Sequence, residues 1–176
     1  AAIRLHILIN QIKHHESKEL TDQYLKNYVS TVDGSFKRQL ASALAYTNDK
    51  ETLDQILEAL KNKDLVKPQD LAMSWYFPLL NHDFTQATVW TWARENWDWI
   101  KAALGGDMSF DKFVIYPANA FKTAERLAEY KAFFEPQLSD MAISRNISMG
   151  IKEIAARVEL VKREKKAVEK AIRAAV

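Results

Sequence analysis

A chain of 176 residues with 48% hydrophobic and 27% charged side chains has the composition of a folded soluble domain, which excludes a disordered segment. The length supports one domain with a sizeable core, expected to span 1–176, and leaves little room for a second. Net charge is only +2, and the absence of cysteine excludes a disulfide framework, a thiolate zinc site and a cysteine nucleophile.

Four Gly and four Pro are too few for a fold of many short strands and tight turns, and apolar residues recur at helical spacing almost throughout. A first pair of helices is predicted from Ile3 to about Lys13 and from Ser17 to about Ser30. Asp33 stands where an N-cap belongs, ahead of Phe36, Leu40 and Leu44. Asn48-Asp49-Lys50-Glu51 resembles a capping box opening a helix that carries Leu53, Ile56, Leu57 and Leu60. Each of these helices has one apolar stripe, which demands a neighbour to bury it. Lys67-Pro68-Gln69-Asp70 places Pro at a first helical position and an acid in the first turn, where the helix dipole favours it. That helix runs toward Asn81, with Pro78 expected to kink or end it.

Thr85 to Leu104 reads as one long helix stopped by Gly105-Gly106. Trp90 and Trp97 share a face with Ala93 and Ile100, while Trp92 and Trp99 flank it, so a broad buried side is expected there. Ser109 to Tyr116 is a short helix or ordered loop halted by Pro117, and Thr123 to Phe134 is a helix closed by Glu135-Pro136. In the final stretch Ile147, Ile151, Ile154, Val158, Val161, Val168, Ile172 and Ala175 follow a 4-3-4-3 spacing broken at Lys165, with Gly150 its weak point. This stripe suits either a coiled-coil strand or a terminal helix covering a solenoid, and the preceding helices need such a cover. The expected fold class is therefore all-α: a HEAT- or armadillo-like superhelix of about eight helices in antiparallel pairs, repeat-like by shape because no strict period is found.

No catalytic or metal-binding constellation is complete. His14-His15-Glu16 is not the H-E-x-x-H arrangement, and with His6 and His82 it finds no further ligand set, so a surface pair at a helix end is the reading. There is no G-x-S-x-G elbow and no phosphate-cradling glycine loop; Gly105-Gly106-Asp107 is a helix stop. From Arg145 onward nine Lys or Arg face four Glu, but the signs alternate and the tryptophans lie elsewhere, so a solvated helix face is expected and no nucleic-acid partner. No run of about 18 apolar residues occurs, so no membrane partner is expected either.

Four blocks carry a resemblance: Leu65-Val66-Lys67-Pro68-Gln69-Asp70-Leu71, then Trp90-Thr91-Trp92-Ala93-Arg94-Glu95-Asn96-Trp97, then Phe121-Lys122-Thr123-Ala124-Glu125-Arg126-Leu127, and Arg145-Asn146-Ile147 leading into the terminal helix. In order and spacing they resemble the C-terminal helical domain of zinc-dependent M1 aminopeptidases, nearest its bacterial branch, and they cover most of the chain. The resemblance implies an excised C-terminal domain of a cytoplasmic bacterial enzyme that removes N-terminal amino acids from peptides. Its H-E-x-x-H…E zinc site and G-A-M-E-N anchoring loop are not in this sequence, and Ala72-Met73-Ser74-Trp75 is no substitute. Zinc and general base are therefore expected upstream; this chain alone is expected to hold no catalytic residue, metal or cofactor.

In that family the helical domain curves into a bowl over the catalytic cleft and limits which peptides enter. The implied partners are thus the upstream catalytic domain of the same polypeptide and peptide substrates. Carried over by position, Ser109, Phe110, Phe113, Tyr116 and Ala120 are the implied rim of the pocket for the substrate's first side chain, with Phe110 and Phe113 reading equally as local core. Arg94 and Arg145 lie in matched blocks and are candidates for the carboxylate end of a longer peptide. The alternative class is an autonomous helical-repeat adaptor that binds a protein partner through its groove.

Overall fold

Ser17, Asp33, Asp49 and Thr123 each sit in extended backbone and turn a side-chain oxygen onto the free N–H groups of a helix start. The computed structural model describes residues 2–175. In it these caps open α2 (Lys18–Ser30), α3 (Gly34–Leu44), α4 (Lys50–Ala59) and α10 (Ala124–Phe134), after an unbroken α1 (Ala2–His15). No strand occurs among the described residues, and the class is all-α. The capping box expected at Asn48–Glu51 is one-sided. Asp49 accepts from the Thr52 N–H at 2.7 Å, but the third helical position is Thr52 itself, too short to reach back. Thr47 takes over that task, its Oγ1 accepting from the Asp49 N–H at 3.1 Å, while Glu16 accepts from the Asn48 N–H at 2.8 Å and from the Thr47 hydroxyl.

The chain divides into two compact units, one ending at Phe113 and the other beginning at Val114. In the first, α1 and α2 pack on α3 and bury Ile12, Leu40, Ala41 and Leu44 completely. Pro68 opens the next helical run as expected: α5 (Pro68–Asp70), a π-helical stretch Leu71–Tyr76, and α6 (Phe77–Leu80). Pro78 does not end it. The Phe77 N–H bonds Ala72 O, five residues back, so the ladder has already changed register where the proline lacks a donor.

The helix predicted from Thr85 to Leu104 is two, α7 (Asp83–Glu95) and α8 (Trp97–Leu104). Asn96 breaks it at φ −106°, ψ 19°, its side-chain amide donating to Trp92 O at 2.8 Å in competition with the ladder. The aromatic face survives the break: Trp90, Ala93, Trp97 and Ile100 are buried, and Trp99 stands edge-on to Trp92 at 6.2 Å. Pro117, expected as a stop, lies inside α9 (Lys112–Ala120), where it removes a single donor. The helix continues and the Phe121 N–H bonds Pro117 O at 2.9 Å.

In the second unit α10 packs on α11 (Ser144–Ala175) through Tyr130, Phe134, Ile147 and Ile154, all fully buried. The Tyr130 hydroxyl donates to Val114 O at 3.1 Å. Arg157 reaches from α11 to Ala118 O at 2.8 Å and Phe121 O at 2.5 Å, satisfying carbonyls at the end of α9. Past Arg157 the apolar stripe is uncovered: Val161, Val168 and Ile172 are 43%, 52% and 59% exposed.

Candidate functional site

The turn after α8 is built around Asp107, which accepts from the Ser109 N–H at 2.7 Å. The Ser109 hydroxyl and N–H hold the Asp107 carboxyl below the usual carboxylate range. Two aromatic contacts fix the next few residues. Phe110 meets Trp97 at 5.4 Å, and Phe113 stacks on Tyr76 at 4.4 Å; both rings are buried and belong to the core of the first unit. Ser109 is half-buried beside them, so these three form one anchored segment. Tyr116 and Ala120, half-buried on α9, fall in the second unit. Arg94 lies with its guanidinium 5.2 Å from the Trp90 ring and donates to the Thr91 hydroxyl at 3.2 Å. Arg145 is exposed in the first turn of α11.

Two cavities of ligand size share Tyr28 as a wall, and neither was legible in the sequence. Tyr28 is buried on α2, accepts from Trp75 Nε1 at 3.1 Å and meets that indole edge-on at 5.1 Å. One cavity is a groove of about 450 Å³ between α2 and α4, walled by Leu25, Val29, Ile56, Leu60, Val66 and Trp75. The other, of about 420 Å³, gathers Lys37 and Arg38 of α3, Lys67 at the N-cap of α5, Asp70 and Ser74. Lys37 Nζ stands 4.7 Å over the Tyr28 ring. Burial pushes the Tyr28 phenol up, the Trp75 bond opposes that shift, and the charge of Asp70 adds to it, so the hydroxyl stays protonated. Lys37-Arg38 and Lys67 come to line one cavity only through the packing of α3 on the 68–80 run, which no local pattern announces.

Among the described residues no three His, Asp or Glu side chains are grouped so as to hold a metal ion. His14 and His15 are exposed at the end of α1, which stops at His15. His82 is half-buried at the N-cap of α7, with Nε2 3.2 Å from Asn48 Oδ1 and its ring 5.4 Å from Tyr46. Burial lowers its pKa, so the ring is neutral at pH 7 and joins the start of α7 to the turn before α4. No helix among the described residues is long and apolar enough to cross a membrane.

Helical throughout and without a metal-holding cluster among its described residues, the chain belongs to the ERAP1-like C-terminal domain family, which matches residues 1–156 and so takes in all four blocks noted in the sequence. It is 57% identical over 173 residues to aminopeptidase N of Lactococcus lactis subsp. lactis, covering 98% of this chain. To aminopeptidase N of Lactobacillus helveticus it is 43% identical over 176 residues, covering the whole chain, and to glutamyl aminopeptidase of Mus musculus 26% over 110 residues, covering 62%. The chain spans only about a fifth of the bacterial relatives' length, 20% and 21%, and 12% of the mouse protein.

Proposed function

We propose that the chain is the C-terminal domain of a zinc-dependent M1 aminopeptidase, that it caps the catalytic cleft, and that it controls which peptides enter. The observation that supports this reading is the match along essentially the whole chain to proteins named aminopeptidase N, covering about a fifth of their length. On this reading zinc, general base and the groups that stabilise the transition state lie in the preceding part of a cytoplasmic polypeptide. The helices then act as one HEAT- or armadillo-like domain whose partner is that catalytic domain and whose cargo is peptide. Phe110 and Phe113 set the position of the Ser109 segment from within the core of the first unit; this segment, and separately Tyr116 and Ala120 on α9, are the candidates for the rim of the first side chain's pocket. Arg94 and the exposed Arg145 supply positive charge toward the far carboxylate of a longer peptide.

The test compares the isolated 176-residue chain with the product of the complete reading frame. The chain is expected to bind no stoichiometric zinc and to release nothing from aminoacyl reporter substrates above a buffer blank, whereas the complete protein does both. Hydrolysis by a metal-analysed, contaminant-free sample of the chain overturns the division of labour. A complete frame lacking H-E-x-x-H overturns the aminopeptidase reading itself and leaves the adaptor.

A further inference from the structure

Lys37, Arg38 and Lys67 all line one cavity of about 420 Å³. Among the described residues none of the three is in a salt bridge. Three like charges around one space repel one another, and an anion placed among them relieves that repulsion. Asp70 lines the same space, and a simple dianion there would face an unfavourable carboxylate. A ligand carrying both signs satisfies both sets of groups. Ser74, only 5% exposed, adds a hydroxyl to the wall, and the Tyr28 ring under Lys37 adds an aromatic face.

We propose that this cavity binds the zwitterion of a free α-amino acid or very short peptide, with the carboxylate among Lys37, Arg38 and Lys67 and the ammonium on Asp70. Charge-assisted bonds of this kind are directional and of either sign, so a blocked derivative loses one half of its contacts. The size agrees: cavities of a few hundred Å³ are typical of small-molecule sites. The binding does not depend on the aminopeptidase reading. If that reading holds, such zwitterions are what the parent enzyme releases, and the site lets the cap respond to its own products.

The experiment titrates the 176-residue chain with L-leucine, leucyl-leucine, leucinamide, N-acetyl-leucine, acetate and inorganic phosphate, following amide chemical shifts by NMR. The expected result is saturable binding of leucine or the dipeptide with shifts clustered at residues 28–38 and 67–74, and binding weaker by about tenfold or more for leucinamide and N-acetyl-leucine. Lys67→Gln, at an exposed side chain, is expected to weaken leucine by about tenfold with an unchanged far-UV spectrum and melting temperature. Asp70→Asn is expected to abolish the preference for leucine over N-acetyl-leucine. Phosphate or acetate binding as tightly as leucine, equal affinity for leucinamide, or shifts outside these segments overturns the proposal, as does absence of saturation at tens of millimolar. Such a failure leaves the aminopeptidase reading intact, because the zinc and reporter assays on the complete protein are independent of this cavity.

Discussion

Gly150→Ala tests the packing of the second unit by setting two effects of opposite sign against each other. Gly150 lies inside α11, where replacing Gly by Ala stabilises an exposed helix by about 1 kcal/mol. Here a Cβ would stand 2.9 Å from Ala118 Cβ and 2.9 Å from Tyr130 Cζ. Carbon atoms in good contact sit at about 3.5–4.0 Å, so the helix has to retreat by roughly 0.6–1 Å. Neither neighbour can give way: Ala118 has no rotamer to change, and Tyr130 is fully buried with its hydroxyl tied to Val114 O at 3.1 Å. Overpacking of this kind costs about 1–3 kcal/mol, and two simultaneous overlaps put it in the upper half of that range. Net destabilisation is therefore about 1–2 kcal/mol, a fall of roughly 2–8 °C in melting temperature for a chain of this size. Far-UV circular dichroism melts and urea titrations of both proteins measure it. Tyr130→Phe removes the nearest atom, and in that background the cost of Gly150→Ala should shrink by about 1 kcal/mol. A melting temperature that rises on Gly150→Ala alone refutes the close approach of the two helices.

Ile154→Ala, at a completely buried position of α11, is expected to cost about 2–4 kcal/mol in urea denaturation, whereas Ile172→Ala, 59% exposed on the same helix, should stay within about 0.5 kcal/mol; equal effects would contradict the burial gradient along α11. Tyr28→Phe leaves the buried Trp75 N–H without its acceptor and is expected to lower stability by about 1–3 kcal/mol by the same titration, while a neutral result would mean that the 3.1 Å bond is not formed. Asp33 and Asp49 have carboxyl pKa values depressed first of all by the backbone N–H groups of Phe36 and Thr52. A folded-state pKa below the unfolded value adds stability that is present above about pH 4 and lost as pH falls through the folded pKa. Asp33→Asn/Asp49→Asn is therefore expected to flatten the acid limb of a stability profile, and an unchanged limb would assign acid sensitivity to other groups.

Helix starts were legible because their chemistry is local: Ser17, Asp33, Asp49 and Thr123 each bond an N–H two or three residues on. Breaks were harder, since they depend on competition between the ladder and a side chain or ring. Asn96 interrupts a stretch that its apolar spacing reads as continuous, while Pro78 and Pro117 sit inside helices that a proline rule would end. The position of Phe110 and Phe113 turned on partners, Trp97 and Tyr76, that spacing alone does not assign to them. Lys67 was readable only as a neighbour of a helix-starting proline, because the cavity it shares with Lys37 and Arg38 is a product of tertiary packing.

The uncovered part of α11 gives one helix two time regimes. Up to Arg157 its amides are backed by α10 and by the bonds to Ala118 and Phe121; beyond it the helix rests on its own ladder and on side-chain pairs such as Lys165–Glu169 at 3.9 Å. Most of a helix's stability in a protein comes from tertiary packing of its apolar face, and an exposed pair at that spacing adds only a few tenths of a kcal/mol. Deuterium should enter the distal turns within the fast phase of exchange while Ile147 to Ile154 remain protected for as long as the unit stays folded. A surface laid over Val161, Val168 and Ile172 would merge the two phases, which makes the exchange rate of those turns an internal gauge of whether the domain is docked or standing alone.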